Sequence, residues 1–313
     1  MRDMAPESKT AVVAALAGNA ALALLKAVTA VMTGSAAMLA ETFHSVADTG
    51  NQILLFLGMR LSQRPPDRDH PFGYGMNTYF WAFVVSTTLF TVGGAFSIWE
   101  AVHKLRQPAT DVASPAAFFV LAGAFVFEGM SLGVALHAAH TERGDAPLLR
   151  FVRESRNPTL PTVLLEDSAA LLSIIVAATG LGLAHVTGQP RWDAAASAVI
   201  GGILIAVASF LAYENYSLLL GEPATAEQEG AVRARLAADP AVREILSLHT
   251  MHLGPTAVLV SARVWFRPEL TAAQIEDAVR RLEDVARAAL PPGTRRRMIV
   301  IEPGRPAAVS RAA

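Results

Sequence analysis

Six long apolar segments constrain the fold of this 313-residue sequence more than any other feature. A helix needs about 20 apolar residues to cross the roughly 30 Å hydrocarbon core of a bilayer, and each segment approaches or exceeds that length. Hydrophobic residues make up 52% of the chain and charged residues only 17%, which is too apolar for an ordinary soluble domain. We therefore predict an α-helical membrane protein, embedded in the lipid bilayer, with six transmembrane helices near Thr10 to Met32, Ser35 to Met59, Thr78 to Val102, Ser114 to Ala139, Thr162 to Ala184 and Ala194 to Tyr213.

The sequence after Tyr216 has a different pattern. A short amphipathic helix, two strands, a helix that begins after Thr271 and a final strand follow one another. This order predicts a small cytoplasmic α+β domain. The predicted organisation is a transmembrane domain over residues 1–218, an α+β domain over residues 219–304 and a disordered tail over residues 305–313.

The distribution of arginine indicates how the helices are oriented, because short cytoplasmic loops are enriched in basic residues. The first connection, Thr33 to Ser35, has no basic residue, whereas the second and fourth connections contain Arg60, Arg64, Arg68, Arg143, Arg150, Arg153 and Arg156. Both termini are therefore expected in the cytoplasm. The first apolar segment exceeds the roughly 7 to 15 residues of a signal-peptide core, and the chain has no recognisable targeting presequence. We expect a multi-pass protein of a bacterial inner (plasma) membrane.

Cysteine is absent from the sequence, which excludes disulfides and thiolate metal sites. Any metal ion must therefore be bound by histidine, carboxylate, amide, backbone or water ligands. The net charge is -1 at pH 7, so the composition does not indicate a nucleic-acid partner.

The second apolar segment contains ionisable residues that lipid would make unfavourable. An aspartate at the bilayer centre costs roughly 2.5 to 3.5 kcal/mol on insertion scales. Such residues commonly face a bundle interior or an aqueous path and serve a function. His44 and Asp48 are four residues apart, so they lie on one face of a helix within reach of a shared ligand. This spacing indicates half of a metal site; the alternative is a pair that only satisfies helix contacts.

A second group of acidic residues, Glu166 and Asp167, lies in the fifth apolar segment. Successive helix residues point about 100° apart, so one of the two carboxylates is expected to face the site. Together with His44 and Asp48 it gives a mixed nitrogen and oxygen site, suited to Zn²⁺ and acceptable to Mn²⁺, Fe²⁺ or Co²⁺.

Other polar residues of the apolar segments are expected mainly to make contacts between helices, because polar groups readily find partners inside helix bundles. These residues are Asn19, Lys26, Asn51, Gln52, Glu128 and Asp193. Glu41 is the strongest candidate among them for the ion path, because it precedes His44 by one helical turn.

Several stretches of the sequence resemble the cation diffusion facilitators, also called the zinc transporter or solute carrier 30 family. "TGSAAMLAETFHSVADTGNQ" is similar to the family's signature from the first to the second helix, and "DRDHPFGYGMNTYF" to the loop that follows. "DAAASAVIGGILIA" resembles the sixth helix, and the C-terminal domain resembles the family's ferredoxin-like, metallochaperone-like domain. The resemblance extends from near Thr10 to Pro303. "NQILLFLG" and "VLLEDSAALL" most resemble the branch that contains the mitochondrial zinc transporter of animals.

The resemblance implies a homodimeric, proton-coupled exporter of divalent metal cations, and not an enzyme. The second and fifth helices of the family each supply two ligands to the transported ion. His44 and Asp48 match the second-helix positions, and Asp167 matches one position of the fifth helix. Val163 stands where the fourth ligand is expected, so Glu166, water or a neighbouring side chain must replace it.

The same resemblance bears on two accessory metal sites. Asp67 and His70 match loop positions that bind a second metal ion in some members, but Tyr74 stands where another histidine is expected. In the α+β domain, the positions of the cytoplasmic metal ligands are occupied by Leu246, Ala262 and Val300, which cannot coordinate a metal. The resemblance thus implies a candidate second site at Asp67 and His70, and a C-terminal domain that dimerises and does not sense metal.

A ligand must lose its proton before it binds a metal ion, so metal binding and proton release at such a site are linked. We therefore expect efflux of Zn²⁺ from the cytoplasm by alternating access of a buried His/Asp site, with protons as the counter-ion. Two alternatives stay open: an exporter of Mn²⁺, Fe²⁺ or Co²⁺, and a membrane metal-binding regulator or assembly partner that does not transport. A channel is disfavoured, because rapid conduction requires weaker or multiple sites.

Overall fold

The structure is a computed structural model that describes residues 6–88, 93–106, 115–291 and 293–306, with side chains described from Gly18 onward. The helices of the apolar part are α1 (Pro6–Thr33), α2 (Ala36–Ser62), α3 (Asn77–Thr88), α4 (Phe96–Arg106), α5 (Pro115–Arg143), α6 (Leu148–Glu154), α7 (Thr159–Thr187) and α8 (Arg191–Leu220). The C-terminal part contains α9 (Ala226–Ala237), β1 (Val242–Gly254), β2 (Ala257–Phe266), α10 (Ala272–Ala289) and β3 (Arg296–Pro303). Residues 307–313 of the predicted disordered tail lie outside the described residues.

Helices occur in every segment that the sequence predicts to cross the membrane. Among the described residues, four stretches are long and apolar enough to do so: Asn77–Arg106, to which α3 and α4 belong, Pro115–Arg143, Thr159–Thr187 and Arg191–Leu220. α2 has 27 residues, a length of about 40 Å, but its polar residues make it less apolar. α1 has 28 residues, a length of about 42 Å. The chain is thus a multi-pass helical membrane protein, and six spans stay a prediction.

The connection between α5 and α7 contains the short helix α6, which the sequence pattern does not predict. Phe151 and Val152 of α6 are buried against Ala135 and Ala139 of α5 and Leu164 of α7. A helix of 7 residues is too short to show a helical repeat in the sequence. Its position therefore depends on contacts with the neighbouring helices.

The chain forms two compact units. The first contains residues Met1–Arg60 and Phe80–Tyr216, and the second contains Leu61–Tyr79 and Ser217–Ala313. The loop between α2 and α3 thus belongs to the second unit, although it lies inside the predicted transmembrane domain, residues 1–218. The predicted domain boundaries otherwise remain predictions.

Small and aliphatic side chains form the core of the first unit. Its largest buried cluster contains residues of α1, α2, α5, α7 and α8, and alanine is the most frequent of them. Gly94 and Gly201 show how closely the helices approach: a Cβ atom added to Gly201 would lie 2.9 Å from the carbonyl oxygen of Gly94. Small residues of this kind let membrane helices pack backbone to backbone.

A three-stranded sheet of order β1-β2-β3 forms the centre of the second unit, with β1 and β2 antiparallel and β2 and β3 parallel. Val260 and Ala262 of β2 are fully buried in one cluster with Val232 of α9 and Leu282 of α10. Thr271 starts α10 with a capping box, in which its side chain and that of Gln274 each accept a hydrogen bond from the other residue's backbone. The predicted order of helix, strand, strand, helix and strand is confirmed.

The loop Leu61–Tyr79 packs against the hairpin between β1 and β2 and against β3 within the second unit. Gly254 has φ of 145°, and a Cβ atom there would lie 2.7 Å from the Cα atom of Gly75. A side chain at this position would therefore combine backbone strain with a steric clash. Arg296 of β3 also donates a hydrogen bond of 3.3 Å from Nη2 to the carbonyl oxygen of Arg64.

Candidate metal centre

α2 has a buried polar face composed of Glu41, His44, Asp48 and Asn51. Their spacing of three, four and three residues places them on one side of the helix. Glu41, His44 and Asn51 are fully buried, and the Asp48 side chain is 14% exposed. The face lies within the first unit.

His44 and Asp48 form a close pair on this face. His44 Nε2 lies 3.0 Å from Asp48 Oδ2. Within the described part of the chain, neither ring nitrogen of His44 has a partner in good hydrogen-bond geometry, and the same is true of Asp48 Oδ1. Buried polar atoms normally have hydrogen-bond partners, so this pair has donor and acceptor capacity that a ligand can use.

Both acidic residues of α7 are buried, and each is bound by a different neighbouring helix. Glu166 Oε1 accepts a hydrogen bond of 2.9 Å from Asn51 Nδ2 of α2. Asp167 Oδ2 accepts one of 2.8 Å from the Ser131 hydroxyl of α5. The hydrogen bond to the polar face of α2 is therefore made by Glu166, and Asp167 is held toward α5.

The structure places the four predicted ligands near one another without gathering them around one point. Asp48 lies within electrostatic range of both Glu166 and Asp167. Across the described residues, however, no three histidine, aspartate or glutamate side chains are close enough to bind one ion together. Val163 packs in the apolar cluster of Leu164 and Phe151, as expected of a position without a ligand role. The ligand set therefore stays a prediction.

Two polar residues, Asn51 and Ser131, connect α7 to neighbouring helices at this centre. The contact between helices that the sequence predicts for Asn51 is observed, whereas Ser131 had no predicted role. Asn51 follows Asp48 by three residues, and this spacing indicates that the two side chains lie on the same face of α2. Ser131 has the same relation to Glu128, which lies within electrostatic range of Asp48, His44 and Asp167. α5 thus also faces the candidate centre.

The start of α2 is fixed by a residue from α8. Asp193 accepts hydrogen bonds from the Ser35 hydroxyl at 2.6 Å and from the backbone N–H groups of Ala36 at 2.6 Å and Ala37 at 3.2 Å. The first N–H groups of a helix have no partner within the helix, and a negative charge there is favourable. Asp193 therefore acts as a cap from a distant part of the sequence and fixes the end of the helix that carries His44 and Asp48.

Comparison with known proteins decides the family. A sequence profile described as the cation efflux transmembrane domain matches residues 12–220. The chain belongs to the cation efflux family. The resemblance to the cation diffusion facilitators is thereby confirmed, as is the prediction that the chain is a transport protein and not an enzyme.

Curated members of the cation efflux family match much of the chain. The mitochondrial proton-coupled zinc antiporter SLC30A9 of Mus musculus is 36% identical over 238 residues, which are 75% of this chain and 42% of the relative. Metal tolerance protein C4 of Arabidopsis thaliana is 30% identical over 76% of this chain and 52% of its own length. The zinc transporter ZitB of Yersinia pseudotuberculosis is 28% identical over 48% of this chain and 45% of its own. The matched part is thus less than half the length of the animal relative.

The predicted second metal site of this cation efflux protein lies in the loop Leu61–Tyr79, where Asp67 is already engaged by other groups. Asp67 Oδ1 accepts hydrogen bonds from the backbone N–H groups of Asp69 at 3.1 Å and His70 at 2.8 Å. Asp67 Oδ2 accepts one of 2.7 Å from the Tyr74 hydroxyl. The His70 ring lies 4.2 Å from the Tyr74 ring, centroid to centroid. Tyr74 therefore takes part in the hydrogen bonding of the loop at the position where the family resemblance implies a histidine.

Replacing Tyr74 with phenylalanine is expected to raise the pKa of Asp67 toward its ordinary value. The Tyr74 hydroxyl and then the His70 backbone N–H hold the pKa of Asp67 below that value by donating to the carboxylate, and Asp67 in turn raises the pKa of Tyr74. Ionised Asp67 thus stabilises the folded loop above the ordinary carboxyl pKa, and this contribution is lost as the pH falls through the lowered pKa. Carboxyl NMR titration of the labelled full-length protein measures the change.

The control is Tyr213→Phe, which removes the hydroxyl of a tyrosine that is 71% exposed on α8. It should leave the titration of Asp67 unchanged. An unchanged pKa of Asp67 in Tyr74→Phe would contradict the role given to the tyrosine hydroxyl.

Proposed function

We propose that this chain exports a divalent transition-metal cation, with Zn²⁺ as the preferred ion, in exchange for protons. The observation that carries the proposal is the buried His44–Asp48 pair on α2, with Glu166 and Asp167 of α7 in electrostatic range of Asp48. Membership of the cation efflux family supports transport, and the names of the mouse and Yersinia relatives support zinc.

The chemistry of these side chains suits a borderline metal ion. His44 supplies an imidazole nitrogen, and the three carboxylates supply oxygen atoms. Zn²⁺ binds both kinds of ligand in tetrahedral sites, while Mn²⁺, Fe²⁺ and Co²⁺ also accept them. We propose His44, Asp48 and Asp167 as ligands, with Glu166 in the place left by Val163. Asn51 holds Glu166 at a fixed position beside the polar face of α2.

Proton exchange follows from competition for the same atoms. A metal ion binds deprotonated ligands, and protons that arrive from the opposite side displace it. Alternating exposure of the site to the two sides then moves the ion and the protons in opposite directions. Each carboxylate of the site has a hydrogen-bonding or ion-pairing neighbour, Asn51, Ser131 or His44, that keeps it oriented while the metal is absent.

The proposal includes the setting of the protein. Arginine-rich connections after α2 and α5 favour cytoplasmic termini and an export direction out of the cytoplasm. We place the protein in a bacterial inner membrane, although the animal relatives are mitochondrial by name. The α+β unit is the proposed dimerisation domain of a homodimer.

One observation favours a second function, a membrane metal-binding regulator that does not transport. Of the predicted ligands, His44 pairs with Asp48, whereas Asp167 and Glu166 are hydrogen-bonded to Ser131 and Asn51. In the described chain no three histidine, aspartate or glutamate side chains gather around one point. A regulator needs only to bind metal, whereas an exporter must bind it and release it on the other side.

Transport by the reconstituted wild-type protein separates the two functions. Liposomes that contain a pH-sensitive dye and a zinc indicator are exposed to Zn²⁺, and in separate runs to Mn²⁺, Fe²⁺ and Co²⁺. We expect Zn²⁺ entry with proton movement in the opposite direction. Protein-free liposomes give the leak rate, and a zinc ionophore shows that the dye responds. Metal binding to the folded protein without any flux would overturn the exporter and support the regulator.

A further inference from the structure

A buried ion pair lies beside the candidate metal centre on the same face of α2. Lys26 of α1 is 0% exposed, and its Nζ atom donates to Glu41 Oε2 at 2.9 Å and to Ser45 Oγ at 2.8 Å. Both partners belong to α2, and Glu41 is itself 0% exposed. Burying a charged side chain inside a membrane protein costs free energy unless the charge is paired. The contact with Glu41 therefore offsets the cost of burying the Lys26 ammonium group.

Glu41 has the position of a further ligand. It precedes His44 by three residues and Asp48 by seven, so the three side chains follow one another along one helix face. Glu41 Oε1 is buried and, within the described residues, has no hydrogen-bond partner. Glu41 and Lys26 are both within electrostatic range of His44. Without the ammonium group, the Glu41 carboxylate would be a free oxygen donor one helical turn from the metal centre.

We propose that Lys26 is a positioning residue that sets the metal specificity of the centre by holding the Glu41 carboxylate away from the transported ion. Carboxylate-rich sites favour Mn²⁺ and other hard cations, whereas sites with an imidazole ligand and fewer carboxylates suit Zn²⁺. The Lys26 ammonium binds one oxygen of Glu41 and thereby limits the number of carboxylates that reach the ion. Ser45 accepts a second hydrogen bond from the same ammonium and fixes its position on α2.

This inference rests on the proposed function, because it assumes that His44 and Asp48 bind the transported ion. The readout is therefore the ratio of Zn²⁺ to Mn²⁺ affinity, measured by calorimetry on the full-length protein in nanodiscs. Lys26→Met removes the charge at similar volume and frees Glu41. We expect it to improve Mn²⁺ binding relative to Zn²⁺ by about tenfold, as one added charged contact would. Lys26→Gln retains a donor and should give an intermediate ratio.

The double variant Lys26→Met/Glu41→Gln removes both charges and should return the ratio to that of the wild type. Its Co²⁺ absorption spectrum should also match the wild type, because Glu41 is not a ligand there. A matched control is Arg150→Met/Glu154→Gln, which removes a pair of similar N–O distance, 3.0 Å, whose side chains are 65% and 54% exposed on α6. That control should leave the ratio unchanged.

Different outcomes distinguish the two proposals. If the wild type binds neither Zn²⁺ nor Mn²⁺, the proposed function fails. If it binds both and folded Lys26→Met keeps the wild-type ratio, only the role of Lys26 is wrong. A changed ratio that persists in the double variant would also overturn that role. If the single variants do not fold, a Co²⁺ spectrum of the double variant that differs from wild type would show that Glu41 already binds the metal and would refute the inference.

Discussion

Asp48→Asn is expected to abolish proton-coupled Zn²⁺ transport in a protein that still folds. Asparagine retains the size of the side chain but removes the negative charge that lies 3.0 Å from His44 Nε2. An amide is a weaker ligand for a divalent cation and does not exchange a proton. Mutation of a residue that only hydrogen-bonds a metal ligand typically lowers metal affinity or activity by roughly 10- to 100-fold. Loss of a ligand itself should therefore lower the initial transport rate by more than about 100-fold. Zinc and proton fluxes in proteoliposomes measure the effect.

The matched control for this change is Asp145→Asn, which makes the same substitution at an exposed position between α5 and α6. It should transport at the wild-type rate. Asp48→Asn that reconstitutes normally and retains more than half of the wild-type flux would remove Asp48 from the site.

Asp193→Ala is expected to destabilise the first unit by about 3 kcal/mol. Loss of an N-cap costs roughly 0.5 to 2 kcal/mol, and each buried polar group left without a partner adds about 1 to 3 kcal/mol. Asp193 accepts from the Ser35 hydroxyl and from the backbone N–H groups of Ala36 and Ala37, so its removal leaves several buried donors unpaired. Thermal unfolding of the purified protein in detergent measures the loss.

Asp145→Ala provides the control for this prediction, because it truncates an exposed aspartate and should change stability little. Asp193→Asn is a useful intermediate. It keeps one acceptor oxygen, so its unfolding temperature should lie between those of the alanine variant and the wild type. Equal stability of Asp193→Ala and wild type would show that Asp193 is not an energetically important cap.

Local patterns in the sequence predicted those features that depend on residues close together in the chain. The four-residue spacing of His44 and Asp48 predicted that they share one face of a helix, and they lie 3.0 Å apart in the structure. Hydrophobic periodicity and the Thr271 cap predicted the order of elements in the α+β unit. The family resemblance rested on continuous motifs, and the matched profile confirms it.

Contacts between distant residues could not be predicted in this way. Asn51 binds Glu166 across 115 positions of sequence, and Asp193 binds Ala36 across 157. The sequence around Asn51 or Asp193 does not indicate which distant residue it contacts. For the same reason, the hydrogen-bond partners of the two carboxylates on α7 could not be predicted. Helix geometry predicted that one of them faces the site, but only the packing of α2 and α5 shows that Asn51 binds Glu166 while Ser131 binds Asp167.

The second unit is discontinuous in sequence, and this affects how it can be isolated. The chain enters it at Leu61, leaves it after Tyr79 and returns at Ser217. A recombinant fragment that starts at Ser217 would therefore omit one of the two stretches from which the unit is built. Gly254 and Arg296 would lose their contacts with Gly75 and Arg64, and the surface under that loop would become exposed to solvent. Joining residues 61–79 to such a fragment through a linker would restore the complete unit for solution studies.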